Sequence, residues 1–247
     1  MSTKKINNKT YRIIRTESDF EDYLLKTNSG YYDPTYNYIL EANIDWNKIQ
    51  PTLRTTIKNF TGIFDGNKYG IYNFGGITDY ASCGLFQTTT KATIKNLILN
   101  IEGQLIGFNY MAGLVGYANE TTFSDCYITG KINITSQGQY IGILSSYLFN
   151  CEVNNVTINV KGSSLQGNRY IGALAGISQD SIIKNTIVCG EVIVLGVNYQ
   201  YVQNQQTITL SPQEIGGFLG STLNSFMENC QVSFTGSVTG MYYISGF

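Results

Sequence analysis

Chemistry in a folded chain needs nucleophiles, acids, bases or metal ligands, and this sequence offers a restricted set. Its 247 residues include five cysteines and 17 carboxylates but no histidine. A Ser/His/Asp triad, a histidine zinc site and a histidine pH switch are therefore excluded. The cysteines are Cys83, Cys126, Cys151, Cys189 and Cys230, an odd number with no C-x-x-C pair, so neither a closed disulfide set nor a paired-thiol metal site is indicated. They read as small apolar core fillers, and free thiols lean towards a reducing compartment. No cofactor and no metal are expected. The carboxylates remain the one route to catalysis. Acid–base cleavage of a polysaccharide requires two of them within about 5–10 Å of each other, so the question becomes which elements would hold them.

Those elements form a repeat. A Gly-rich apolar tag recurs as CGLF (83–86), AGLVG (112–116), GILS (142–145), GALAG (172–176), GGFLG (216–220) and SGF (245–247). Its Leu/Phe anchors are Leu85, Leu114, Leu144, Leu174, Phe218 and Phe247, spaced by 29, 30, 30, 44 and 29 residues. Eleven residues after the first five anchors stand Asn96, Asp125, Asn155, Asn185 and Asn229. Two residues before that column come Ile94, Phe123, Val153, Ile183 and Met227, and three after it Leu99, Ile128, Ile158, Val188 and Val232. Short apolar, β-branched runs bounded by Gly, Asn and Ser are strand signals, and no convincing helical period occurs in the body. A unit of about thirty residues made of short strands cannot bury its own apolar side, whereas stacked units can. The Asn column supplies sharp corners, because Asn tolerates the left-handed backbone conformation. The expected fold is all-β, a right-handed parallel β-helix (β-solenoid) of about six coils of roughly 30 residues.

With that register the acids can be placed. Seventeen residues after the anchors lie Glu102, Lys131, Lys161, Glu191 and Thr235, an outward ladder of mixed sign. Six after them lie Lys91, Glu120, Asn150, Asp180 and Asn224, a polar turn column whose two acids are a coil apart. No aligned column puts carboxylates on adjacent coils, so the chain reads as non-enzymatic. Cys126 and Cys230 share a column but lie three coils apart, on the order of 15 Å at about 4.8 Å per coil, beyond the roughly 7 Å a disulfide spans.

The pattern AGLVG…FSDCYITGKI (112–132) resembles the GLUG repeat of bacterial adhesin-like surface proteins. YILEANIDW (38–46), FTGIFDGN (60–67) and IYNF (71–74) resemble the segments that precede such repeats. The resemblance covers roughly residues 38–247. It implies a parallel β-helix, an adhesin-like role and a cell-surface or extracellular location, although residues 1–20 carry no apolar stretch of the signal-peptide kind.

Charge divides the chain. Residues 1–58 hold 16 of the 33 charged residues and read as an N-terminal capping segment with the first strands and a short α-helix at DFEDYLLK, opened by Thr16 or Ser18. Residues 59–247 form the solenoid, with an insertion at about 193–214 in the long fourth repeat. The last residues, Ile244-Ser245-Gly246-Phe247, fall within a new repeat tag, so the solenoid is expected to continue or to be covered there, by a longer parent or another subunit. Net charge is −1 with no basic block, which excludes electrostatic nucleic-acid binding. No apolar run reaches the eighteen or so residues of a membrane span.

Two places are candidates for partner contact. Tyr199, Tyr201 and Gln203 lie in the insertion, whose alternation reads as a protruding hairpin or extended loop. Tyr31, Tyr32 and Tyr36 lie near the cap, and tyrosine offers contact area at low entropic cost. Three function classes follow: a non-enzymatic structural or attachment module contacting protein or glycan, a virus or phage fibre component that could oligomerise, and a carbohydrate-active enzyme.

Overall fold

The computed structural model describes residues 1–28, 35–79, 82–203 and 206–245. They build a parallel β-solenoid of about seven turns. Each turn has three faces. The first is a 15-stranded sheet, the second a stack of six short strands and the third a stack of five. One turn shows the path. Thr122–Ser136 runs along the first face and bends at Asp125; Gln139–Gly142 forms the second face, and Ser145–Phe149 the third. Neighbouring turns pair in parallel and in register, as in Glu102↔Lys131, Met111↔Ile141 and Tyr117↔Tyr147. The turn beyond the expected six comes from Asn37–Leu40 and Ile44–Asp45, which already pair with the next rung through Tyr38↔Phe64 and Ile44↔Ile71.

The corners explain why these residues fold this way. Asn96, Asp125, Asn155, Asn185 and Asn229 have φ of 51°, 54°, 55°, 50° and 53°. That left-handed conformation costs most residues about 1–2 kcal/mol, and Asn and Asp least. Their side chains also link turn to turn. The Asn96 amide donates to Asp65 at 3.0 Å, Asn155 to Asp125 at 2.6 Å and Asn229 to Asn185 at 3.3 Å. The polar turn column Lys91, Glu120, Asn150, Asp180 and Asn224 forms a second left-handed corner, with φ between 48° and 53°. Replacing Asn155 with Ala removes the cross-turn bond and strains the corner, and should cost about 1–2 kcal/mol. Asn155→Gly keeps the backbone freedom and should cost less. Urea unfolding of both variants checks this, and equal losses would sink the conformational part of the argument.

The anchor leucines Leu85, Leu114, Leu144 and Leu174, with Phe218, are fully buried and line the interior. At the N-terminal end the core is closed by the helix Glu17–Asn28, which buries Phe20, Tyr23 and Leu24. Thr16 caps it, accepting from the Asp19 amide at 3.1 Å, while Asp19 accepts from the Arg15 amide at 2.9 Å. Outside the helix, the hairpin Thr3–Ile6/Lys9–Ile14 lays its second strand parallel on Asn37–Leu40. Trp46 is packed edge-on against Phe20 and Phe74, and its indole donates to the Gly75 carbonyl at 3.0 Å. The last turn is less covered, with Leu223, Phe226, Met241, Tyr243 and Ile244 exposed.

Candidate binding surface

The residue after each left-handed corner turns inward, and this position accounts for three of the cysteines. Cys126, Cys151 and Cys230 follow Asp125, Asn150 and Asn229. Each thiol points at the carbonyl two residues back: Cys126 to Ser124 at 3.4 Å, Cys151 to Phe149 at 3.3 Å and Cys230 to Glu228 at 3.5 Å. Thr121, Ser181 and Thr186 make the equivalent bond with hydroxyls at 3.0, 2.8 and 2.9 Å. These cysteines are thus corner donors as well as core fillers, and all five are free thiols.

Burial holds the proton on the two most enclosed corner thiols, pushing Cys126 up to about 12 and Cys151 to about 11 from an ordinary 9.0. The linkage has a definite sign. Below about pH 9 the thiols are protonated folded or unfolded. Above it the unfolded chain releases protons that the folded chain keeps, so stability is lost as pH rises from about 9 towards 12. Cys126→Ser should flatten the decline while keeping the corner bond. Chemical denaturation between pH 8 and 10.5 checks this, and parallel curves for the two proteins would refute it.

The first face carries a shallow trough of about 550 Å³, where Glu102, Lys131, Lys161 and Glu191 line up beside Gly130 and Gly162. Its two carboxylates sit three rungs apart, about 14 Å at the strand spacing of a sheet. That exceeds the separation at which two carboxylates share one glycosidic bond.

The residues expected to contact a partner lie in separate places. Tyr36 is 39% exposed, with the Arg12 guanidinium 3.8 Å above its ring at the N-terminal end. Tyr31 and Tyr32 lie outside the described residues. Tyr199, Tyr201 and Gln203 lie on the strand Tyr199–Gln203, far along the stack, which pairs antiparallel with Gln206–Leu210 in a two-stranded sheet of its own. Buried Asn168 clamps the feet of this hairpin, its amide donating to the carbonyls of Val197 at 3.0 Å and Leu210 at 2.8 Å. From Val192 to Gln213 the chain carries no charge.

Beside the hairpin's base runs a feature absent from those expectations. Tyr110, Tyr140 and Tyr170 lie at or next to the start of successive strands of the second face and stack in register. Their ring centroids are 4.9 and 5.0 Å apart, with planes 7° and 4° from parallel. Tyr117 and Tyr147, on the third face, lie 5.4 Å from each other and 5.6 Å from Tyr110 and Tyr140 respectively. All five rings are half-buried.

The second and third faces run close together where the two columns meet, with Gly116 and Gly176 at the bend and Ser146 in the same place between them. A Cβ at Gly176 would stand 2.4 Å from the Tyr170 carbonyl oxygen and 2.6 Å from that of Ser146. Burial raises the phenol pKa of Tyr117, Tyr140, Tyr147 and Tyr170, keeping the hydroxyls neutral. The Tyr147 hydroxyl donates to Gln179 at 2.5 Å. Arg169 covers the Tyr170 ring at 4.4 Å and is neutralised by an ion pair with Glu214, which also raises the guanidinium's pKa. The sequence signal for the strip is the 30-residue spacing of Tyr110, Tyr140 and Tyr170, repeated by Tyr117 and Tyr147.

No helix among the described residues is long and apolar enough to cross a membrane. The chain matches no family model and no curated protein.

Proposed function

We propose that this β-solenoid is a non-enzymatic attachment module, adhesin-like in the manner of the GLUG-repeat proteins it resembles, that contacts a protein or glycan surface. The observation that carries the reading is a group of features on neighbouring segments of the solenoid. It comprises the five-tyrosine strip, the neutralised Arg169–Glu214 pair and the uncharged hairpin clamped by Asn168. Tyrosine and arginine are the residues that dominate recognition hot spots, and here they are clustered, half-buried, on a rigid frame. The wide separation of Glu102 from Glu191 supports a role without catalysis. A surface location follows from the family resemblance.

Beads coated with the protein should adhere to surfaces bearing matrix proteins or polysaccharides. A Tyr140→Ala/Tyr147→Ala variant, or deletion of 198–209, should lower adhesion at least tenfold while circular dichroism stays unchanged. Adhesion indifferent to both changes would remove this reading.

A further inference from the structure

We infer that the tyrosine strip takes a linear, uncharged polysaccharide lying parallel to the solenoid axis. This rests on the attachment reading and names its ligand class. Three observations converge on it.

The first is ring geometry. Parallel rings in contact are about 3.5–4 Å apart plane to plane, yet the centroids of Tyr110, Tyr140 and Tyr170 are 4.9 and 5.0 Å apart. The rings therefore form a half-buried aromatic column with one tyrosine per rung, and Arg169 lies over the ring of Tyr170. An aromatic face is electronegative and attracts the polarised C–H groups of a pyranose ring. The ring edges and hydroxyls beside it meet sugar hydroxyls.

The second is periodicity. The contact repeats once per rung, so a ligand that gains from every rung must extend along the axis and repeat itself. A polypeptide strand on that line presents side chains to one side every second residue, about 6.6 Å apart, out of step with the rings, and would leave its backbone donors facing aromatic edges.

The third is charge. The phenols of Tyr117, Tyr140, Tyr147 and Tyr170 stay protonated, Arg169 pairs with Glu214, and one carboxylate, Asp180, stands behind Gln179 beside Tyr147. Among the described residues no charge repeats along the strip for a charged polymer to follow.

The test uses the full chain with cellulose, chitin, curdlan, xylan, mannan and starch, and with heparin and polygalacturonate as charged probes, in pull-down and affinity electrophoresis. At least one neutral polysaccharide should retain the protein, with affinity unchanged between 50 and 500 mM salt, roughly the range over which charge-driven binding collapses. Tyr140→Ala should weaken it tenfold or more. Tyr140→Phe, which keeps the face, should stay within about threefold, and the remote Tyr69→Ala should bind normally. Binding should also perturb the tyrosine absorbance near 280 nm, an effect lost in Tyr140→Ala. Retention by none of the neutral polymers, retention only by the charged ones, or unaltered binding by Tyr140→Ala overturns the inference. If Tyr140→Ala lowers bead adhesion while no polysaccharide binds, the ligand is a protein and the attachment reading stands without this one. If adhesion is also unaffected, both fall.

Discussion

Alanine in place of Gly190 is expected to destabilise the solenoid by about 3–4 kcal/mol, at the upper end for a single backbone substitution. Gly190 has φ +106°, where an L side chain is strained, and a Cβ built there would lie 1.9 Å from the Val160 carbonyl oxygen. The obstacle is backbone of the preceding rung, so no rotamer change relieves it. The column shows what substitution requires. Gly130 and Gly190 flank Val160 in register, and the turn that carries Val160 holds an extra residue, with Gly162 at φ +64° absorbing the bend. Ile101, Val160 and Phe234 carry side chains in this column without a positive φ, so what bars Ala from Gly190 is its own positive φ and the Val160 carbonyl facing it. Because a solenoid's turns couple mainly to their neighbours, the damage should be directional. Hydrogen exchange should accelerate from Ile187 onward while Ile98–Gly107 stays protected. Uniform acceleration, or a loss under 1 kcal/mol, would contradict this account.

Truncating Leu144 to Ala should cost about 3–5 kcal/mol, the range for a fully buried leucine that leaves a cavity. Leu144 is wholly buried between Leu114 and Leu174 in the anchor column. Its amide donates to the Leu174 carbonyl at 3.0 Å, which pins the backbone and limits collapse into the space. Leu144→Phe should cost about 1–3 kcal/mol by overpacking, although Phe218 occupies the same column elsewhere. A cavity in mid-stack also weakens coupling between the two halves, so urea unfolding should broaden or split into two steps. A sharp single transition with a loss near 1 kcal/mol would show that the column is not the core.

The architecture was legible because each turn restates its own instructions. The Asn column marked the corners before any contact was known, and all five residues have positive φ. The insertion was readable as a protruding hairpin or an extended loop because its alternation is a local property, and the structure makes it a hairpin of two antiparallel strands. The seventh turn was obscured because its residues sit in the charged N-terminal segment, where composition pointed to a cap. All five cysteines read as core fillers, yet only Cys83, Cys126 and Cys151 are buried while Cys189 and Cys230 are half-buried; the corner bonds of Cys126, Cys151 and Cys230 were not legible, since that role depends on a carbonyl two residues back being turned inward by a left-handed corner.

The tyrosine strip marks the boundary most clearly. Tyr110 and Tyr117 are seven residues apart on different faces, and spacing alone places both outward without saying that they meet. What the sequence determined by itself was register and corner geometry, because left-handed residues, glycine bends and apolar alternation act within a few bonds and repeat every thirty or so residues. What only the tertiary structure decided was which outward columns share a surface. Tyr110 meets Tyr117 at 5.6 Å where the second and third faces run close together, and Asn168 binds Val197 and Leu210 across 29 and 42 residues of chain. Such contacts depend on the angle between faces, and no residue encodes that angle alone.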